Sequence, residues 1–446
     1  MIVSRAFAGK RYAVLGLARS GRAAVETLLA SGAQVMAWDN RLEPREAFRD
    51  RVELADPVSA DLSGYEAVVV SPGVPLNTHP IAAAAASAGI PVIGDIELFA
   101  QARDDLPAHR VVGITGTNGK STTTSLVAHL LRSAAVPVLM GGNIGTPILA
   151  QKPLRPGGVY VLELSSYQID LTRTLDCDVA ALLNITPDHL DRYDGFEGYV
   201  ASKVRLFEML GAGHVAVFGN GDKETAWIAR QQLQRTDLRA AIIADGAELA
   251  PRQSEWPSLQ GPHNLQNASV AVEIVKALGL TPAQWSAALP KFRGLPHRME
   301  RVAEANGVLF INDSKATNSA SAAPALAAFP PNPDPRIHWI VGGLPKGDDL
   351  DECRPHFGNL AAAYTIGDAG PLYADILEPY TSVHRSEMMA EAIREALAAA
   401  KPGDVVMLSP ACASFDQFRD FEARGDQFRQ IVEALIGPGT HDAGGA

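Results

Sequence analysis

Residues Val111-Val112-Gly113-Ile114-Thr115-Gly116-Thr117-Asn118-Gly119-Lys120-Ser121-Thr122 have the types and order that a nucleotide phosphate requires. A short apolar run stops at a glycine-rich turn, and Lys-Ser-Thr opens a helical segment. Glycines let backbone N–H groups approach phosphate oxygens, and the helix start adds its N–H groups and the positive end of its dipole. Lys120 supplies a point charge for the terminal phosphates, and Ser121 or Thr122 a hydroxyl for Mg²⁺. The loop departs from the general phosphate-loop pattern, because Ile114 stands where the first glycine would be and Gly116 is an extra glycine. The chain is expected to bind ATP or GTP.

Two further strand-like runs end in residues that suit such a site. Val159–Leu162 leads into Glu163-Leu-Ser-Ser166, and Ala180–Ile185 leads into Thr186-Pro-Asp-His-Leu-Asp191. Parallel α/β sheets bind ligands at the carboxyl ends of their strands. If these runs neighbour the loop strand, Lys120, Ser121, Glu163 and His189 meet on one edge. Nucleotide-bound Mg²⁺ takes a loop hydroxyl and a nearby carboxylate, a role for Glu163. His189 suits either a second metal or donation to a substrate. Lys203, inside the helix-like Tyr199–Phe207, reads on physics alone as a surface lysine. Gly16-Leu-Ala-Arg-Ser-Gly21 is a dinucleotide fingerprint with Ala18 in place of its second glycine, and Asp39 lies where a ribose-binding acid would. A dinucleotide-dependent redox enzyme and a non-catalytic ATP-binding module therefore stand beside a phosphoryl-transfer enzyme as readings.

The elements that must position these residues repeat one pattern: strand, glycine turn, helix. It occurs at Tyr12–Gly16, Val111–Gly119 and Trp339–Gly343. Such alternation predicts an α/β protein of three units. They are a Rossmann-like domain over residues 1–97, a central phosphate-loop parallel sheet over 98–295, and a Rossmann-like domain over 296–446. Strands are predicted at 11–15, 34–38 and 67–71, then at 110–114, 136–140, 158–163, 179–185 and 214–218, and near 308–312, 337–342, 362–366 and 404–408. A helix over 20–31 stops at Ser31-Gly32. Gln101–Arg110 reads as a linker, 221–260 as irregular, and the tail from Gly437 as frayed.

With 446 residues, 47% of them hydrophobic, the chain has material for several cores. A net charge of −11 argues against a broad nucleic-acid surface. The cysteines, Cys177, Cys353 and Cys412, form no CxxC pair, which fits a reducing compartment and small core residues. No stretch approaches the roughly 20 apolar residues of a membrane span, and the N-terminus lacks a signal-peptide pattern. A cytoplasmic monomer without membrane insertion is expected.

The stretches Thr115–Thr122, Glu163–Ser166, Asn184–Asp191, Gly261-Pro-His-Asn-Leu-Gln-Asn267 and His297-Arg298 resemble the Mur ligase family. Asn312-Asp-Ser-Lys-Ala-Thr-Asn318 and Leu408–Phe418 extend the resemblance through the third unit. The resemblance implies an ATP-dependent ligase of peptidoglycan precursor synthesis, with UDP-N-acetylmuramoyl-L-alanine and D-glutamate as substrates, ATP and Mg²⁺ as cofactors, and an acyl-phosphate intermediate. It implies that Thr117, Asn118, Gly119, Lys120, Ser121, Thr122 and Thr123 surround the ATP phosphates. Asn264 and Asn267 would lie at the adenine, and Arg298 and Asp313 would reach phosphate and ribose. Ser121 and Glu163 would hold the ATP-linked metal. Glu163, His189 and Lys203 would hold a second, with Lys203 carbamylated. Leu17, Ala18, Arg19, Ser20, Asp39, Asn40 and Arg41, with Ser71-Pro72-Gly73, would face the UDP moiety, and Asn143 the muramoyl end. Lys315, Thr317, Lys346, Ser414 and Phe421 would form the glutamate pocket.

Overall fold

A computed structural model describes residues 1–345, 347 and 349–437. It divides into two compact units, Met1–Glu248 with Gln266–Leu289, and Leu249–Leu265 with the chain from Pro290. The first unit holds two sheets and the second unit one.

The first sheet comprises β1 (Arg11–Leu15), β2 (Gln34–Trp38), β3 (Glu53–Leu54), β4 (Ala67–Val70) and β5 (Val92–Ile93). Their order is β3-β2-β1-β4-β5, with every pair parallel. β4 reads Ala-Val-Val-Val and is buried throughout, as a strand covered on both faces must be. The helix Arg19–Ala30 ends at the expected stop: Gly32 has φ +80°, and the Ala33 N–H returns to Leu28 O at 3.0 Å.

The second sheet comprises β6 (His109–Thr115), β7 (Val138–Gly142), β8 (Gly158–Glu163), β9 (Val179–Leu182), β10 (Val215–Phe218) and β11 (Ala240–Ile243). The order is β11-β10-β9-β6-β8-β7, again all parallel. β6 thus lies between the two strands that end in chemistry-bearing residues. Ile114 pairs with Glu163 on one side, and Thr115 with Leu182 on the other. The chain leaves β6 toward β7 and leaves β9 toward β10, in opposite directions, so the switch-point crevice opens between β6 and β9.

Two expectations need correction here. Gln101–Arg110 is not a loose linker. Gln101 belongs to the helix Asp95–Ala102, a short 3₁₀ turn follows, and β6 begins at His109. Asp105 accepts from Ser4 Oγ and the Arg5 N–H, both at 2.7 Å, so its charge fastens the segment to the N-terminus. Residues 221–260 are also more regular than read: a helix spans Lys223–Gln232, and β11 forms the sheet edge. Asp222 caps that helix by accepting from the Thr225 N–H at 2.7 Å.

The second unit's sheet comprises β12 (Glu300–Ala305), β13 (Val308–Asn312), β14 (Ile337–Gly342), β15 (Leu360–Ile366), β16 (Ser382–Glu387) and β17 (Val405–Leu408). The order is β12-β13-β17-β14-β15-β16, parallel except for the antiparallel β12–β13 pair. β12 and β16 went unread because both are half-exposed edges with little apolar signal. All three cysteines are buried. Among the described residues no helix is long and apolar enough to cross a membrane.

Candidate active site

The phosphate loop is held rigidly from the crevice side. Its Thr117 and Asn118 N–H groups donate to Asn184 O (2.9 Å) and Asn184 Oδ1 (2.8 Å), just beyond β9. Thr117 Oγ1 lies 3.1 Å from Tyr199 Oη and accepts from the Thr186 N–H at 3.0 Å. The helix Lys120–Ser133 then starts from Gly119, whose φ of +83° is left-handed. A helix start leaves four N–H groups without intrahelical partners, the usual cradle for phosphate oxygens. Lys120 Nζ donates to the carbonyls of Gly116 and Thr117, both at 2.7 Å. Ser121 is buried at the first turn and Thr122 half-buried. Thr123 is fully buried within the helix, its hydroxyl without a partner among the described residues.

Glu163 closes β8 and is 2% exposed. Its Oε1 accepts from Asn143 Nδ2 at 2.9 Å, so the candidate muramoyl contact and the candidate metal carboxylate are joined directly. Its Oε2 is buried with no partner among the described residues. A buried carboxylate oxygen left so is costly unless a ligand meets it.

Lys203 overturns its reading as a surface lysine. It sits in the helix Gly195–Glu208 at 1% exposure, and its Nζ donates to Gly116 O at 3.1 Å. Lys120 and Lys203 therefore converge on one carbonyl of the phosphate loop. Burial, helped by the Lys120 charge, holds the Lys203 amine well below the usual lysine range. Its Nζ also lies 4.5 Å from the Tyr199 ring centroid, and the His189 ring meets the same tyrosine at 6.3 Å. His189 has a left-handed φ of +55°, and its N–H donates to Asp188 Oδ1 at 2.9 Å.

In the first sheet, Asp39 Oδ2 accepts from the Leu17 N–H at 2.7 Å, and its Oδ1 accepts from the Arg41 N–H at 3.0 Å. Burial opposes the Asp39 charge, but these donors hold its carboxyl below the usual range. Ser71 Oγ donates to Gly16 O at 3.0 Å, which draws the loops after β1 and β4 together. Ala18 and Arg19 are exposed at the start of the helix Arg19–Ala30, and Ser20 is half-buried. Arg19 reaches Gly145 O, beside Asn143. Asn40 and Gly73 are exposed, and Pro72 is half-buried.

The helix Pro262–Ala277 crosses from one compact unit to the other. Asn267 belongs to the first unit and packs against Gly119. Asn264 belongs to the second, donates to Gln260 O at 3.1 Å, and lines a cavity of about 250 Å³ with Met299, Ile311 and Phe329. Neither asparagine caps the helix, since both lie inside it.

Within the second unit, Asp313 follows β13, accepts from Ser409 Oγ at 2.7 Å and from the Met299 N–H at 3.1 Å, and is pushed up to about 7 by burial. The neighbouring Arg298 charge works against that rise. Lys315 Nζ lies 5.0 Å from the Phe421 ring centroid, so two candidates for the amino-acid pocket meet. Ser414 is buried, Thr317 half-buried, and Lys346 lies outside the described residues. Sequence reasoning gave no role to Arg424. This buried guanidinium donates to Ser314 Oγ and to the carbonyls of Ser314, Cys412 and Ala413 at 2.8–3.1 Å, locking the loops after β13 and β17 together. Burial holds it down to about 10.

Comparison with known proteins decides the family. Family models for the Mur ligase MurD-like N-terminal domain, the Mur ligase middle domain, and the Mur ligase glutamate ligase domain match residues 10–94, 114–275 and 297–412. A UDP-N-acetylmuramoylalanine–D-glutamate ligase of Novosphingobium aromaticivorans is 69% identical over 98% of this chain and 97% of its own. One of Sphingopyxis alaskensis is 59% identical over 98% and 100%.

The chain belongs to the Mur ligase family.

Its fold is that of the Mur ligases of known structure. The UDP-N-acetylmuramate–alanine ligase of Thermotoga maritima matches with a TM-score of 0.55 over 96% of this chain and 99% of that one, at 16% identity. Against this family background Asn184 and Tyr199 are the site residues that sequence reading left without a role. The signal for Asn184 was its position directly after an apolar strand. Nothing in the sequence singled out Tyr199.

Gly119 is where the Mur ligase loop tolerates least. A Cβ there would lie 2.2 Å from Asn267 Oδ1, at a φ that L side chains rarely adopt. Gly119→Ala is expected to raise the KM for ATP by about tenfold or more, since the strained turn and displaced Asn267 both degrade the phosphate cradle. Steady-state kinetics at varied ATP check this, and an unchanged KM would contradict it.

Proposed function

We propose that this chain joins D-glutamate to UDP-N-acetylmuramoyl-L-alanine, consuming ATP, as a step of peptidoglycan precursor synthesis. The convergence of Lys120 and Lys203 on the phosphate loop beside the buried Glu163 carries the chemistry, and the full-length similarity to ligases of that name supplies the substrates.

A carboxylate is a poor electrophile, so it must be activated before an amine can displace anything from it. A carboxylate oxygen of the alanyl group attacks the ATP γ-phosphorus, and the bond to ADP breaks. The acyl phosphate then takes the glutamate amine at its carbonyl carbon. The tetrahedral intermediate expels phosphate, the nitrogen loses its proton to solvent, and an amide remains. Two anions meet in the first step, and Lys120 offsets their repulsion.

Glu163 Oε2 and the Ser121 hydroxyl fit a hard divalent cation, which takes oxygen ligands. Among the described residues no group of three His, Cys, Asp or Glu side chains could hold a metal unaided. Mg²⁺ would thus rely on phosphate oxygens and, at a second position with Glu163 and His189, on a carbamate of Lys203. Bound there, it would neutralise charge on the transferring phosphoryl group.

In this reading residues 1–97 bind the UDP-sugar, 98–295 ATP and 296–446 the amino acid. Leu17–Ser20, Asp39–Arg41 and Ser71–Gly73 contact the UDP, and Asn143 and His189 the muramoyl end. Thr117–Thr123, Asn264, Asn267, Arg298 and Asp313 contact ATP. Lys315, Thr317, Lys346, Ser414 and Phe421 contact glutamate. The enzyme works as a monomer in the cytoplasm. Purified protein with ATP and UDP-N-acetylmuramoyl-L-alanine is expected to release phosphate when D-glutamate is added, and none with L-alanine or folate. Turnover with L-alanine instead, or tight NAD(P) binding with no turnover, would overturn the reading.

A further inference from the structure

Arg192 follows the Asn184–Asp191 stretch directly, and nothing above gives it a role. It is half-buried, and its fork faces the first sheet. Nη2 donates to Val74 O at 2.8 Å and Nη1 to Gly73 O at 3.4 Å, in the loop after β4. The guanidinium lies over the Tyr167 ring, 4.2 Å from its centroid. Tyr167 is the second residue of the short helix Ser166–Asp170 after β8, and its ring meets the His189 imidazole at 4.9 Å. The Arg192 N–H also donates to His189 O at 2.9 Å, closing a turn that begins at His189, whose own backbone is left-handed. A second link runs beside it, from Asn77 Nδ2 to Asp191 O at 3.0 Å.

The loops after β4, β8 and β9 are thereby keyed through one side chain. We propose that Arg192 is a positioning residue that couples occupation of the Ser71–Gly73 loop by the UDP-sugar's diphosphate to the placement of His189. This rests on the reading of those two loops given under the proposed function. The residue type fits the task. A guanidinium can donate from its edge to successive carbonyls while its face stacks on an aromatic ring, whereas an ammonium is a point charge that does one or the other. Both Gly73 and Val74 present backbone oxygens, so the contact does not depend on their side chains. A ligand that draws the Ser71–Gly73 loop toward itself must move the fork, and the fork carries Tyr167 and the His189 turn with it.

The test uses the full chain as wild type, Arg192→Ala and Arg192→Lys. Steady-state kinetics are measured for each substrate, and hydrogen exchange of residues 189–194 with and without UDP-N-acetylmuramoyl-L-alanine. Arg192→Ala is expected to raise the KM for the UDP-sugar by about tenfold and lower kcat a few-fold, with the KM for ATP unchanged. The UDP-sugar is expected to slow exchange in 189–194 in wild type and to lose that effect in Arg192→Ala. Arg192→Lys, which keeps charge and length, should behave like the alanine variant and serves if alanine fails to fold. Slowed exchange retained in either variant, or a fall in kcat with no change in the UDP-sugar KM, overturns the proposal. Absence of ligase turnover in wild type would instead count against the substrate assignment, while the exchange comparison would still decide the coupling.

Discussion

Lys120→Ala is expected to lose about 10³-fold or more in kcat while keeping its fold. The fold should survive because residue 120 is the first of its helix, where alanine is a good helix former, and because the side chain is only half-buried. The activity should not survive. Lys120 Nζ already lies against the Gly116 and Thr117 carbonyls, at the mouth of the phosphate cradle, and no other described side chain is shown reaching both. In the proposed mechanism its charge is needed most when the carboxylate approaches the γ-phosphate, so the loss is expected to fall on the transition state rather than on ATP binding alone. A second effect adds to the first. After burial itself, the Lys120 charge helps to hold the Lys203 amine below the usual lysine range, and its removal weakens that shift. Phosphate release assays and a thermal scan of the same sample check both halves. Ligase activity within tenfold of wild type would remove the phosphate loop from the mechanism.

Lys203→Met should separate function from stability even more sharply. Methionine has nearly the same shape and no charge to bury. Around neutral pH the unfolded lysine is protonated and the native amine is held below its ordinary range. Between the native and the unfolded lysine ranges folding therefore releases a proton, and stability rises with pH across that window. At neutral pH that linkage works against the native state, so the variant is expected to melt at the same temperature as wild type or higher. Its ligase activity is expected to fall by about 10²-fold or more, the scale of losing one preorganised charge-stabilising group. An unprotonated amine can attack CO₂: a C–N bond forms, one proton leaves to water, and a carboxylate replaces a base. A carbamate there would make Lys203 an oxygen ligand, the role the proposed function gives it. Carbon-13 bicarbonate should label wild type with a carbamate resonance that is missing from Lys203→Met. A variant that unfolds readily would mean that the amine is a paired structural charge.

Much of this was legible in the chain. The glycine-rich loop, the apolar runs and the strand-end residues are local patterns, and a parallel strand with both faces covered has to be apolar along its length. The phosphate loop, Glu163 and His189 could be named for that reason, and so could the three sheets. What escaped was either half-exposed or fixed by distant partners. The edge strands β12 and β16 carry little apolar signal. Asp105, Arg192 and Arg424 look like ordinary surface charges until the fold brings Ser4, Gly73 or Cys412 to them.

The sequence by itself determined that a glycine-rich turn joins an apolar strand to a helix and which residue types stand at the neighbouring strand ends, because a turn's backbone demands and a strand's burial are written locally. Only the tertiary structure decided that β6 runs between β8 and β9, that Asn143 bonds Glu163, and that Lys203 is buried against Gly116. Strand order and burial depend on segments far apart in the chain, and no local pattern records which of them will meet.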